Sequence, residues 1–204
     1  MSENVILLNG GQFLKLSEVT RKKIVSAMDR AVERLKKNMN RFTDEFPGTC
    51  SKNFKYETSK RFNWESGMLT GCYWLAYEYT KDEDFRNAAE SHIAIYCEHA
   101  KTREWLNDHD TGFIFVPSCV AGYKVTGDKN MRKAAIDAAD ILMDHYCWEN
   151  HFIVISGKRD PDRYNSYRTL VDSMMNIPLF FWAYEETGNI KYYEAAVEHY
   201  HTTM

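Results

Sequence analysis

Tyr77-Glu78-Tyr79-Thr80, Tyr123-Lys124-Val125-Thr126 and Tyr184-Glu185-Glu186-Thr187 are three writings of one segment, and their alignment decides the fold. Eleven residues after each Tyr stands an Ala pair: Ala88-Ala89, Ala134-Ala135 and Ala195-Ala196. Twelve or thirteen residues before each Tyr stands a carboxylate followed by a hydroxyl: Glu65-Ser66, Asp110-Thr111 and Asp172-Ser173. Self-similarity at a fixed spacing marks an architecture of repeated units that share a core. Here it also sets three acids at equivalent places in three copies.

Working outward, four prolines and ten glycines in 204 residues fall between periodic stretches, the pattern of an all-α protein read as a single helical domain over 1–204. A first helix is predicted from about 17 to 40, with Ser17 as its cap and Ile24, Ala27, Met28, Ala31 and Leu35 on one face. Residues 41–62, carrying Pro47 and Gly48, read as an irregular but structured loop. Three helical hairpins follow, pairing 67–79 with 85–100, 113–125 with 131–146, and 170–186 with 192 to the end. The turns between partners (Thr80-Lys81-Asp82, Thr126-Gly127-Asp128, Thr187-Gly188-Asn189) suit a tight helix stop and restart.

The first helix of each hairpin is apolar nearly all round, as in Ile177, Leu179, Phe180, Phe181 and Trp182, so it is expected to be buried on most sides. The second helix is one-sided and expected outside. Hairpins of that kind stack as an open solenoid or close into a barrel of inner and outer helices, and buried inner helices favour closure.

Twelve to thirteen helical residues rise about 18–20 Å. In-register stacking therefore places Glu65, Asp110 and Asp172 together at the N-terminal mouth of the inner layer, away from the turns. Taken singly, an Asp or Glu beside Ser or Thr at a helix start reads as a cap. The company argues for more: Asp108 and His109 precede Asp110, and Trp64 adjoins Glu65. An aromatic ring, an imidazole and paired carboxylates on one rim suit a sugar cleft with acids for proton transfer.

Net charge is −3, with 44 % hydrophobic and 14 % aromatic residues and no basic cluster, so neither nucleic acid nor an anionic membrane is expected as a partner. Residues 1–23 hold no apolar stretch of signal-peptide length, and no segment approaches a spanning helix, so a cytoplasmic location is the default. Five widely spaced cysteines read as reduced thiols in the core rather than disulfides or zinc ligands. Glu198-His199-Tyr200-His201 is set aside as a metal site, because His at i and i+2 do not share a helix face. No metal and no cofactor are expected. Met174, Met175, Trp74 and Trp182 read as core.

Phe46-Pro47, Asn63-Trp64-Glu65-Ser66-Gly67-Met68 and Gly71-Cys72-Tyr73-Trp74-Leu75-Ala76-Tyr77-Glu78 resemble the unsaturated glucuronyl hydrolase family. So do His109-Asp110-Thr111-Gly112-Phe113 with Ser118-Cys119, and Arg168-Thr169-Leu170-Val171-Asp172 with Asn176-Ile177-Pro178-Leu179. The unsaturated rhamnogalacturonyl hydrolases share much of the pattern and stand as an alternative. The resemblance implies an (α/α)6 barrel of twelve helices, and a substrate with an unsaturated uronic acid at the non-reducing end of a lyase-generated oligosaccharide. The implied chemistry is hydration. An acid protonates C4, water adds at C5, and the hemiketal opens to release the neighbouring sugar. Carried over by position, Asp172 matches the general acid and base and Asp110 the second acid, which binds sugar hydroxyls and helps keep its partner protonated. Trp64 matches an aromatic platform, and His109 lines the pocket. Arg168, four residues before Asp172, is expected to point away from it, toward the substrate carboxylate, because a tight Arg168–Asp172 pair would argue against the acid role.

The match departs in two places. Where the family carries an aromatic residue, often Trp, before the second Asp, residues 151–167 offer Phe152, Tyr164 and Tyr167. About seven helices are read where the resemblance implies twelve, so the chain looks like the N-terminal half of a barrel, with little or no turnover expected of it alone. Exposed inner-helix faces would favour self-association. A non-catalytic helical-repeat interaction module is the rival reading, and convergent acids beside His109 and Trp64 argue against it.

Overall fold

The computed structural model describes residues 21–60, 62–155 and 168–204; Ser17, Tyr164 and Tyr167 lie outside the described residues. Two compact units are present, residues 1–37 and 38–204, where the sequence leads one to expect a single domain. The first is described by helix α1 (Arg21–Asn38), none of whose residues is buried; Ile24, Val25 and Met28 are exposed.

The second unit opens with a departure from expectation. Residues 41–62 are not an irregular loop: they hold an antiparallel hairpin, β1 (Phe46–Lys52) with β2 (Lys55–Ser59), pairing Phe46 with Ser59 and Lys52 with Lys55. Its turn uses Asn53 and Phe54 at φ 50° and 61°, the left-handed values that a two-residue hairpin demands. Only Phe46 is buried along β1, so the hairpin shows no alternation of apolar and polar residues, and Pro47 and Gly48 mimic a loop. Phe46 anchors it by packing its ring on His92, 4.8 Å between centroids.

Three helical hairpins follow as expected. In the first, α2 (Trp64–Thr80) leads into α3 (Glu83–Ser91) and α4 (Ile93–Thr102), the outer helix breaking at His92. That imidazole is fully buried, with Nδ1 2.8 Å from Thr70 Oγ1 and Nε2 2.9 Å from Phe42 O. The second hairpin joins α5 (Thr111–Phe115), a π-helical turn (Val116–Val120) and α6 (Ala121–Thr126) to α7 (Lys129–Met143). Pro117 removes a backbone donor inside this helix, and the widened turn absorbs it. The Ser118 carbonyl in that turn also accepts from Trp74 Nε1 at 3.0 Å. Short strands β3 (Tyr146–Cys147) and β4 (Phe152–Ile153) come next, then a 3-10 turn (Val171–Met175), α8 (Ile177–Thr187) and α9 (Ile190–Thr203).

The repeated segment has one physical meaning in all three copies. The hydroxyls of Thr80, Thr126 and Thr187 donate back to the carbonyls of Ala76, Gly122 and Ala183. Each also accepts from the amide two residues on, of Asp82, Asp128 or Asn189. Those side chains in turn cap the next helix at the amides of Asp84, Asn130 and Lys191. Between them Lys81, Gly127 and Gly188 take positive φ, which ends the inner helix. The second residue of each Ala pair (Ala89, Ala135, Ala196) is fully buried, where a small side chain lets outer and inner helices approach.

The inner layer is buried toward the outer one through Trp74, Phe115, Phe180 and Trp182. It is less enclosed than expected on its other side, where Leu75 is 62 % exposed and Cys72 and Met175 are also exposed. The architecture is that of an α/α barrel in part, inner and outer helices alternating along the chain. All five cysteines are free, but only Cys119 and Cys147 are buried, so the core reading of the thiols holds for two of them. No helix among the described residues is long and apolar enough to cross a membrane.

Candidate active site

Two glycines bring the starts of the inner helices together. A Cβ on Gly67 would lie 2.5 Å from the backbone of Ile114, and one on Gly112 would overlap Asn176. With no side chain at either position, the first turns of α2, α5 and the Val171–Met175 segment meet. Asn176 Oδ1 fixes the contact by accepting from Phe113 N at 3.0 Å. The three predicted acids ride on these turns.

None of them is a cap. Asp110 precedes α5 without a side-chain capping bond, and neither Asn63 nor Leu170 caps the turns that carry Glu65 and Asp172. Asp110 and Asp172 instead face one imidazole. His109 Nε2 lies 3.3 Å from Asp110 Oδ1 and 3.4 Å from Asp172 Oδ1, close enough for charge attraction but short of a well-directed hydrogen bond to either. Its Nδ1 lies 2.6 Å from Asp108 Oδ1 and 2.9 Å from the Ile155 carbonyl. Both neighbours of Nδ1 are acceptors, so that nitrogen carries a proton; Nε2, facing two carboxylates, carries another.

The charge balance follows. Burial alone would lower the His109 pKa, but the Asp108 hydrogen bond and the charges of Asp110 and Asp108 outweigh it and lift it to about 9. Asp110 moves the other way from an ordinary carboxylate. Burial raises it, His109 opposes, and Asp108, Asp172 and Glu65 add their repulsion, leaving it at about 6. From sequence, Asp110 is the charge that keeps its partner protonated; here Asp110 itself is the carboxyl held toward its neutral form. Asp108, by contrast, is lowered: burial pulls upward, and the hydrogen bond and charge of His109 prevail.

Glu65 is almost wholly buried, with Oε1 lacking a hydrogen-bond partner. Trp64 begins α2 and is 38 % exposed, a ring available at the rim. Arg168 makes no ion pair with Asp172, as expected. The reason differs from the expected one, because the chain is extended at Leu170 and helical only from Val171, so the two residues do not share a helix. Arg168 contributes its carbonyl to Ile155 N at 3.1 Å, tying its segment to the residue whose carbonyl meets His109. Met175, expected in the core, is exposed in the same turn as Asp172.

Sequence reasoning missed Asp108 as a partner of His109, and missed Ile155, whose carbonyl no side-chain pattern reveals. Alternation of acid and imidazole in Asp108-His109-Asp110 was the available signal. The ligand atoms of these three residues lie within 4.8 Å of one another. The arrangement suits proton transfer between two carboxyls biased by a fixed positive charge. The other acid–imidazole group, at the chain's end, does not form a unit: His199 is buried and accepts from Ile153 N at 3.2 Å, and burial lowers it to about 4.

Comparisons with known proteins bear on the family and the fold. Residues 35–204 match the family model Glycosyl Hydrolase Family 88. The chain is 34% identical over 192 residues to an unsaturated chondroitin disaccharide hydrolase of Streptococcus pneumoniae, covering 94% of this chain and 48% of that relative. It is 37% identical over 164 residues to an unsaturated glucuronyl hydrolase of Bacillus sp., covering 80% of this chain and 43% of the relative. The solved unsaturated glucuronyl hydrolase of Streptococcus agalactiae superposes with a TM-score of 0.91 at 34% identity, over 97% of this chain and 49% of that one. A variant of a Streptococcus agalactiae unsaturated glucuronyl hydrolase solved with dGlcA-GalNAc6S is 32% identical, with a TM-score of 0.78 over 94% of this chain and 45% of that one. The chain thus spans about half the length of the curated relatives it matches. By this match, and by an inner helical layer that gathers its acids at one mouth, the chain belongs to glycosyl hydrolase family 88.

Proposed function

We propose that this chain carries the acid pair of an unsaturated glucuronyl hydrolase. The reaction adds water across the C4–C5 double bond of an unsaturated uronic acid at the non-reducing end of a lyase-generated oligosaccharide. Asp172 gives its proton to C4, and the water that adds at C5 returns a proton to the same carboxylate. The hemiketal formed at C5 then opens and releases the neighbouring sugar. Asp110 binds sugar hydroxyls and, held near its neutral form, shares the proton inventory of the pair. Trp64 offers the ring platform, His109 lines the pocket, and Arg168 meets the substrate carboxylate. This route differs from direct displacement at the anomeric carbon by two carboxyls.

One observation carries the reading: carboxylates from two separate hairpins face a single buried imidazole. The names of the relatives favour glucuronyl over rhamnogalacturonyl substrates, and the dGlcA-GalNAc6S complex favours an unsaturated chondroitin disaccharide. Glycosaminoglycan breakdown is the corresponding role. Five free cysteines support a reducing compartment, the cytoplasm, as its place. The test follows the ultraviolet absorbance of the conjugated double bond in an unsaturated chondroitin disaccharide. It should fall with the chain in excess, and Asp172→Asn should abolish the loss while the sugar still binds.

The exposed inner face supports a second copy as partner. Met68, Cys72 and Leu75 of α2, with Val116, Pro117 and Val120, line an apolar groove of ≈ 440 Å³, bordered by Glu78 and Lys124. Each copy has three inner helices, so a twofold axis along them would supply six. Such a patch favours association in water.

A further inference from the structure

Asp108 is on no list of acids drawn from the repeat, yet its oxygen makes the shortest contact His109 has, at 2.6 Å. We propose that Asp108 is a positioning residue: it holds His109 as a doubly protonated spacer, so that Asp110 and Asp172 aim at one nitrogen instead of drifting apart or turning to solvent. The inference rests on the reading of Asp110 and Asp172 as the working pair.

The geometry favours this on three counts. Asp108 is half exposed while His109 is buried, so the aspartate can stay charged by hydration and the imidazole depends on protein acceptors for its second proton. Asp108 Oδ1 also accepts from the Asp110 amide at 3.3 Å, and its carbonyl accepts from Thr111 Oγ1 at 3.1 Å. One residue therefore fixes the backbone turn that carries both His109 and Asp110. Finally, the Ile155 carbonyl alone would satisfy a neutral imidazole protonated on Nδ1, leaving a lone pair on Nε2 pointed at two carboxylate oxygens. That arrangement is repulsive while both carboxylates are ionised, and a charged ring removes the repulsion without protonating either of them. The groups that feel this ring are Asp108, Asp110 and Asp172, with Glu65 acting on Asp110. His145, buried at the end of α7 and itself lowered mainly by burial, also senses Asp108 and His109.

The experiment uses ¹⁵N-histidine-labelled full chain and follows His109 ring nitrogens by NMR across pH. Both nitrogens of the wild-type ring should be protonated at pH 7.5. Asp108→Asn keeps an oxygen for the Asp110 amide and removes the charge; its His109 should titrate roughly one unit or more lower. Asp108→Glu should recover most of the shift. An unchanged His109 titration in folded Asp108→Asn would overturn the proposal, and so would a neutral wild-type ring at pH 7.5, which needs no variant at all. If the titration shifts as expected but the wild type neither binds nor hydrates the disaccharide, the hydrolase reading fails and the role of Asp108 stands.

Discussion

His109 is the residue through which the site's electrostatics pass. A group whose folded pKa is raised stabilises the fold below its unfolded value, and that contribution is lost as pH climbs through the folded one. For His109 the window runs from 6.5 to about 9. Its full linkage is of order 3 kcal/mol, an upper figure for a side chain with three acids around it. Denaturant midpoints should therefore fall between pH 6.5 and 9.5 in the wild type and stay flatter in His109→Gln. Asp110, also raised, acts in a lower window: its protonated form is lost as pH rises through about 6. Because the carboxyl pair supplies the proton for C4, the hydration rate should fall as pH rises above about 6 and should not recover before His109 discharges. A rate that rises from pH 6 to 8 would count against a proton held in this pair. Asp110 and Asp172 were legible as aligned acids in three copies of one segment. Their charge balance was not, since it depends on Asp108 and on a carbonyl at Ile155, 46 residues further along the chain.

At the scale of elements, the same residue type does two jobs at opposite ends of the inner helices. Asp128 at the turn is a true cap through its contact with Asn130 N, so Asp128→Ala should cost about 1 kcal/mol of stability and leave sugar binding untouched. Asp110→Asn should do the reverse, sparing stability near neutral pH and removing activity. Gly112→Ala should hurt both. Its Cβ would push Asn176 from Phe113, at a cost of about 1–3 kcal/mol, and would separate the turn of Asp110 from that of Asp172. Chemical denaturation and titration with disaccharide separate these three outcomes. The hairpins were readable because Thr, a left-handed residue and an Asp or Asn recur at every turn. The β1–β2 hairpin was not, because nearly all of it faces solvent and burial leaves no period of two in its sequence. The π turn at Pro117 and the break at His92 were equally hidden, since tertiary partners (Trp74 for one, Phe42 and Thr70 for the other) decide them.

For the molecule as a whole, the chain spans about half the length of the curated relatives it matches. Leu75 and Cys72 present an exposed face on α2. Sedimentation should show association that strengthens with concentration, weakened by Leu75→Lys; a monomer at every concentration would remove the second copy from the account. The central claim is that Asp172 and Asp110, set against one imidazolium, hydrate an unsaturated uronide. Its most direct test mixes the chain in excess with unsaturated chondroitin disaccharide at pH 5.5 and follows the ultraviolet absorbance of the double bond. The account predicts a slow loss with the wild type and a flat trace with Asp172→Asn of equal sugar affinity. Loss that continues undiminished in Asp172→Asn would contradict it.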